Sequence, residues 1–263
     1  MKIMIGKGDT QMAVMDEFKE EREALKNGTP KQKLQYFWDY YKWHVIGTVA
    51  AVAILISFIY QIVTRKDVMF YAAMVNVVPL ETAEEFNAGY LEFTGTDTSE
   101  FEAMFDNTMT INDNSMDEGT MSSVQKLAVY TAAGDLDVLI TNADTFASYA
   151  NNDQFHDLRD IFTPDQFDEY ADLIYYVDWD MVELRDEMSS KLEDTSVLEY
   201  PDPFAPDQMN RPVPVGIRID GCEKFTSAYY VSGMEKGEPS ILGIYGNAGH
   251  LEDTLKFIEY IFQ

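Results

Sequence analysis

The chain has 263 residues and a formal net charge of −27 at pH 7, because it holds 19 Lys and Arg residues against 46 Asp and Glu residues. So acidic a chain lacks the basic surface that phosphate backbones require, which excludes nucleic acid as an expected partner. The single cysteine, Cys222, excludes an intramolecular disulfide framework and a cysteine-cluster metal site.

An uncharged apolar run, VIGTVAAVAILISFIYQIV, extends from residue 45 to residue 63. As a helix rising about 1.5 Å per residue, it would span roughly 28 Å, close to the hydrocarbon thickness of a bilayer. Aromatic residues precede the run, as at a membrane interface, and Arg65 and Lys66 follow it. The sequence predicts an uncleaved transmembrane signal anchor over residues 44–64. The alternative, a buried core helix, rarely runs so long without a charge.

The basic residues near the apolar run predict its orientation. Four lysines lie within about twenty residues on its amino side, against two basic residues on the other, and the positive-inside rule then places the N-terminus in the cytoplasm. Residues 1–66 carry a net charge of +3 and residues 67–263 a net charge of −30, so the acidity belongs to the part expected outside the cell. The four lysines are Lys26, Lys31, Lys33 and Lys42.

Residues 1–43 are expected to form a cytoplasmic arm. The charge-dense stretch Asp16–Leu25 has the residue spacing of a helix, and an aromatic-rich helix begins near Pro30 and enters the membrane. The first helix is interpreted as a solvated segment at the headgroups, with a docking helix for a cytoplasmic partner as the alternative.

Strand-like and helix-like segments alternate in residues 67–263. This alternation predicts one extracellular α/β domain, a mostly parallel sheet covered by helices on both faces. Five prolines between residues 200 and 214 predict an extended loop. The predicted strands are 67–78, 109–111, 136–141, 215–220 and 240–245, and the predicted helices are 82–93, 121–133, 145–151, 164–176 and 251–262.

The stretch GDLDVLITNADTFASYANNDQFHDLRDIFTPDQFDEY, residues 134–170, resembles extracellular solute-binding proteins of the type 2 periplasmic-binding fold. The C-terminal SILGIYGNAGHLEDTLKFIEYIF resembles the late strand and helix of the same family. The resemblance implies one lobe, or a reduced form, of such a protein. A reduced form would lack the interlobe cleft in which the family binds ligands. The segment KLQYFWDYYKWHVIG also resembles uncharacterised single-span proteins of Gram-positive bacteria.

In an open α/β sheet, ligands bind at the carboxyl ends of the strands. That rule nominates Asn76, Asn142, Asp144, Asp220 and Asn247 as ligand-binding candidates. Helix capping is the alternative role for Asn142, Asp144 and Asn247.

A set of aromatic residues offers a second possible ligand surface. Such rings can stack on a sugar or a peptide, and core packing is the alternative. The set is Tyr175, Tyr176, Trp179, Tyr229 and Tyr230.

Catalytic and cofactor motifs are not apparent. The histidines are scattered, the sequence contains no G-x-S-x-G, and the thiol of Cys222 is interpreted as buried or inert. Gly243, Gly246 and Gly249 have the wrong spacing for a dinucleotide loop and are interpreted as turn glycines. We therefore expect no metal, no cofactor and no catalysis.

Together these features predict a membrane-tethered extracellular module of the solute-binding kind, which binds a small solute, a peptide or an envelope protein. A structural or assembly subunit of a membrane complex is one alternative. An extracellular hydrolase is another, and it would require a nucleophile–base pair in a pocket.

Overall fold

The structure is a computed structural model that describes residues 28–112, 115, 117–232 and 238–263. The chain divides into two compact units, Met1–Arg65 and Lys66–Gln263. The helix predicted over Asp16–Leu25 lies outside the described residues.

The first unit contains one long helix, α1 (Pro30–Val63). Its segment Tyr41–Val63 has a mean hydropathy of 2.2, is not buried, and is long and apolar enough to cross a membrane. The hydroxyl of Thr48 donates to the carbonyl of His44 at 2.8 Å, so this polar group is satisfied within the helix. The apolar run predicted to span the membrane is therefore part of an unbroken helix of sufficient length.

The second unit is built from strands and helices that alternate along most of its length. Its strands are β1 (Asp67–Met74), β2 (Val77–Pro79), β3 (Phe101–Asp106), β4 (Val138–Asn142), β5 (Ile174–Asp178), β6 (Pro212–Arg218), β7 (Tyr229–Val231) and β8 (Ser240–Ile244). Its α-helices are α2 (Ala83–Thr94), α3 (Glu118–Ala133), α4 (Ala143–Ala150), α5 (Leu158–Ile161), α6 (Pro164–Glu169), α7 (Trp179–Ser190), α8 (Glu223–Ala228) and α9 (Leu251–Phe262).

Six of these strands form one sheet in the order β3-β1-β4-β8-β6-β5, and β2 pairs with β7 in a separate ribbon. β1 is parallel to β3 and to β4, whereas β8 is antiparallel to both β4 and β6, and β5 is antiparallel to β6. The α/β class is as predicted, but the sheet is mixed, so the prediction of a mostly parallel sheet was wrong.

The direction of β8 follows from the connection that precedes it. A parallel neighbour requires a crossover of a dozen or more residues, usually a helix that returns the chain across the sheet. Here α8 is six residues long, and β7 stays beside β2, at the edge where β1 ends. The chain therefore re-enters the sheet from that edge, and β8 runs opposite to β4.

Residues of β1 alternate between two buried clusters. Phe70 and Met74 pack with helices α2, α8 and α9 on one face, while Tyr71 and Ala73 pack with α3, α4 and α7 on the other. All four side chains are buried. Because both faces of the strand are covered, it carries few of the polar residues that a solvent-facing side would require. The prediction that helices cover both faces is confirmed.

Several predicted elements differ from the structure. The predicted strand 67–78 is divided into β1 and β2, and β6 begins at Pro212, inside the segment predicted as an extended loop. The predicted helix over residues 164–176 is divided into α6, a short 3-10 turn and β5. Met109 and Ile111 are buried, but the segment 109–111 is not a strand, because Asn76 makes its hydrogen bonds. The side-chain oxygen of Asn76 accepts from the amide of Ile111, and the backbone amide of Asn76 donates to the carbonyl of Met109. The edge strand next to β1 is β3 instead.

Candidate functional site

Two of the five predicted polar residues, Asn76 and Asn142, lie together at the edge where β1 and β4 end. The side-chain nitrogen of Asn76 donates to Oδ1 of Asn142 at 3.1 Å and to the carbonyl of Ile111 at 2.9 Å. They meet because β1 and β4 are parallel neighbours. Both side chains are buried, and both are hydrogen-bonded within the protein.

The other three predicted polar residues do not join this pair. Asp144 is exposed in the first turn of α4. Asp220 follows β6, which is separated from β4 by β8, and accepts two hydrogen bonds from Arg218 at 2.6 and 2.8 Å. Asn247 follows β8, whose antiparallel direction places it at the opposite edge, where its side chain donates to the carbonyl of Thr131.

The aromatic candidates are also separated by the structure. Tyr175 and Tyr229 are buried in the two core clusters, and Tyr176 packs against one of them. Tyr230 is 54% exposed on the short ribbon. Trp179 lines a cleft.

This cleft, the Trp179 cleft, has a volume of about 380 Å³. It opens at the edge where β5 ends and β6 begins, so it lies at the carboxyl end of an antiparallel strand. Its size is in the range of small-molecule sites. The lining residues are Asp153, Phe155, Asp157, Arg159, Trp179, Arg211 and Val213.

Asp178 holds the walls of the cleft together. Its carboxylate is buried and accepts hydrogen bonds from the backbone amides of Asp180, Asn210 and Arg211, at 3.2, 2.9 and 3.1 Å. The amide of Trp179 in turn donates to the carbonyl of Arg211 at 2.9 Å. These bonds cap α7 and fasten the segment before β6 to the helix that carries the tryptophan.

Two arginines line the cleft, and each is paired with carboxylates. Arg159 forms a bidentate pair with Asp157, with Nη2 2.5 Å from Oδ2 and Nε 2.9 Å from Oδ1. Arg211 contacts Asp180 at 3.2 Å and Glu183 at 2.7 Å. Glu183 also accepts the indole N–H of Trp179 at 3.1 Å, which orients the ring.

Asp153 lies at the rim of the cleft, just after α4. Its backbone is left-handed, with φ 54°, a conformation that Asp tolerates better than most residues. The loss of solvent on its protein side, and then the charge of Asp186, raise the pKa of Asp153 above its ordinary value. Within the described part of the chain, its carboxylate has no ion-pair partner.

A carboxylate and a histidine meet at the start of β4. Asp137 is fully buried and accepts hydrogen bonds from the amides of Tyr71 and His250, at 2.8 and 2.9 Å, and its Oδ2 lies 3.1 Å from Nδ1 of His250. Because these bonds join the starts of β4 and α9 to β1, the carboxylate has a structural role. Among the described residues, no group of three or more His, Cys, Asp or Glu side chains is placed to hold a metal ion.

Most of the residues that line the cleft were not predicted from the sequence. Trp179 was among the aromatic candidates, but Asp153, Arg159 and Arg211 were not singled out. They come from the loop after α4, from helix α5 and from the segment before β6, and no spacing motif links them. The strand-end rule would have pointed to this edge had the direction of β5 been predicted.

No protein-family model matches the chain, and neither the curated proteins nor the solved structures include a match to it.

Proposed function

We propose that the chain is a non-catalytic, membrane-anchored binding protein. Helix α1 holds it in the membrane, and the acidic unit Lys66–Gln263 lies outside the cell. The Trp179 cleft of this unit binds a small solute or a peptide. The proposal keeps the expectation drawn from the resemblance to solute-binding proteins, with the ligand held on a single lobe.

The observation that carries the proposal is the composition of the cleft. A half-buried indole and the buried ring of Phe155 offer apolar surface, while charged groups stand at the rim. Apolar walls with a few fixed polar groups are the usual composition of small-molecule sites. The bonds of Asp178 fix Trp179 and Arg211 before any ligand arrives, so binding would cost little further ordering.

A binding screen of the full chain in detergent micelles tests the proposal. The panel contains sugars, amino acids, amines and short peptides, with thermal shift and equilibrium dialysis as readouts. We expect at least one class to bind, and Trp179→Ala to abolish that binding. Tyr230→Ala, which removes an exposed aromatic ring elsewhere, serves as the matched control and should bind as the parent does. Absence of binding across the whole panel would contradict the proposal.

Protease treatment of spheroplasts tests the orientation. The lysine excess on the amino side of the helix supports an external C-terminal unit. Protease added outside should therefore degrade residues 66–263 and spare an N-terminal tag. Degradation of the N-terminal tag instead would indicate the opposite orientation.

A further inference from the structure

The positive charges of the Trp179 cleft are matched by partners from within the protein. Arg159 is bound bidentately by Asp157, and Arg211 lies between Asp180 and Glu183. Because each guanidinium is already neutralised by a carboxylate, the cleft offers an anionic ligand no unmatched positive charge among the described residues. The arrangement therefore disfavours an anion.

The negative charge of Asp153 is not matched in this way. It stands at the rim of the cleft without a cationic partner among the described residues, and the neighbouring charge of Asp186 opposes its ionisation. A positively charged ligand group would favour the ionised form of Asp153 and offset the repulsion from Asp186. A neutral sugar could stack on Trp179 but would leave Asp153 uncompensated.

The aromatic wall favours the same ligand charge. An indole face attracts cations more strongly than any other side-chain ring. Glu183 accepts the indole N–H of Trp179, which fixes the orientation of the ring, and the ring lines the cleft. Carboxylates near an aromatic ring are the usual surroundings of bound organic cations.

We infer that the Trp179 cleft binds an organic cation, an amine or ammonium group with an apolar stem, placed between the face of Trp179 and the carboxylate of Asp153. This inference rests on the proposed binding function and narrows its ligand class. The remainder of the cleft, Phe155 and Val213, would contact the apolar stem.

A chain with one tryptophan tests the inference directly. The protein has three tryptophans, Trp38, Trp43 and Trp179, so Trp38→Phe with Trp43→Phe leaves the indole of the cleft as the sole fluorophore of its kind. This full chain in micelles is titrated with choline, spermidine and lysine amide, with maltose and glutamate as neutral and anionic probes. We expect saturable changes in emission with at least one cation and none with maltose or glutamate.

Two matched asparagine variants locate the charge that matters. Asp153→Asn should weaken cation binding about tenfold, because it removes the facing charge and keeps the side-chain size. Asp144→Asn, at the other end of α4, should leave the affinity unchanged. Asp186→Asn gives an independent check if Asp153→Asn does not fold. Because it removes only the second charge of the pair, it should weaken binding about twofold.

The possible outcomes separate the inference from the proposed function. Equal cation affinity in Asp153→Asn, Asp186→Asn and Asp144→Asn would overturn the inference. Binding of maltose or glutamate alone would also overturn it, while the proposed binding function would stand. If no probe binds, either here or in the wider panel, both the inference and the proposed binding function are contradicted.

Discussion

The ring of Phe146 occupies the space that a side chain at Gly243 would need. A β-carbon at Gly243 would lie 2.6 Å from Cε2 of Phe146, and one at Gly216, on the adjacent strand, 2.7 Å from Cζ. Phe146 is fully buried and stacks on Phe155, with ring centroids 4.7 Å apart. These two glycines therefore let α4 approach the sheet closely. Phe146 in turn packs against Phe155, which lines the Trp179 cleft.

Gly243→Ala should destabilise the second unit by about 1–3 kcal/mol, because the added methyl group overpacks a filled core. Chemical denaturation followed by circular dichroism measures the change. Gly246→Ala is the matched control, since the nearest atom to its β-carbon would be 3.7 Å away. Equal unfolding free energies for the two variants would contradict the close packing of Phe146.

Asp106 should contribute a pH-dependent part of the stability. Burial opposes its ionisation, yet hydrogen bonds from Lys126, Thr108 and Tyr71 prevail and lower the pKa of Asp106 to about 2, from 3.8. The folded protein thus favours the ionised form. The stabilisation is present above about pH 4 and is lost as the pH falls from about 4 to about 2, amounting to about 2 kcal/mol.

Comparison of the parent chain with Asp106→Asn isolates this contribution. The parent should be more stable by about 2 kcal/mol near neutral pH, and the difference should shrink towards zero near pH 2. Because the other carboxylates titrate in both proteins, the difference between their unfolding free energies is the quantity to follow. A difference that does not change with pH would show that Asp106 does not act through its charge.

Leu192→Gly should stabilise the chain by up to about 1 kcal/mol. Leu192 follows α7 in a left-handed conformation, φ 59°, and is 94% exposed, so glycine would relieve backbone strain and lose almost no packing. Leu192→Ala retains the β-carbon and should give no such gain. The thermal unfolding midpoints of both variants measure the effect. A stabilised alanine variant would argue against backbone strain as its cause.

The thiol of Cys222 should be unreactive in the folded protein. Burial, reinforced by the charge of Asp220, raises the pKa of Cys222 to about 12, so the thiolate is scarce at mildly alkaline pH. We expect no labelling by a thiol reagent until concentrated guanidinium unfolds the chain. Ser227→Cys, at an exposed position on the same helix, should be labelled at once. Rapid labelling of Cys222 in the native chain would contradict its burial.

The central strands could be predicted because their composition reflects burial. β1 and β4 consist mainly of apolar residues, and every residue of β4 is buried. β3 was missed because it is an edge strand whose residues are partly exposed. The segment 109–111, in which Met109 and Ile111 are buried, was mistaken for a strand, since a sequence does not show that the side chain of Asn76 replaces a neighbouring strand.

β5 could not be separated from the helix before it. Neither Gly nor Pro stands between α6 and Ile174, and the change from helix to strand arises from pairing with β6. The following helix, α7, buries only Val182, so it lacks an apolar stripe that would identify it. The candidate site could not be predicted without these two elements, because Trp179 is the first residue of α7 and the position of the cleft depends on the direction of β5.

The position of β8 has a consequence for biosynthesis. The strands β3, β1 and β4 form one part of the sheet and β6 and β5 another, and β8, which begins at Ser240, is the strand that joins them. A ribosome that has translated as far as β7 has produced both parts without their connection. The sheet therefore cannot be completed before Ser240–Ile244 has emerged, and until then the flanks of β4 and β6 present unpaired backbone to which folding chaperones could bind.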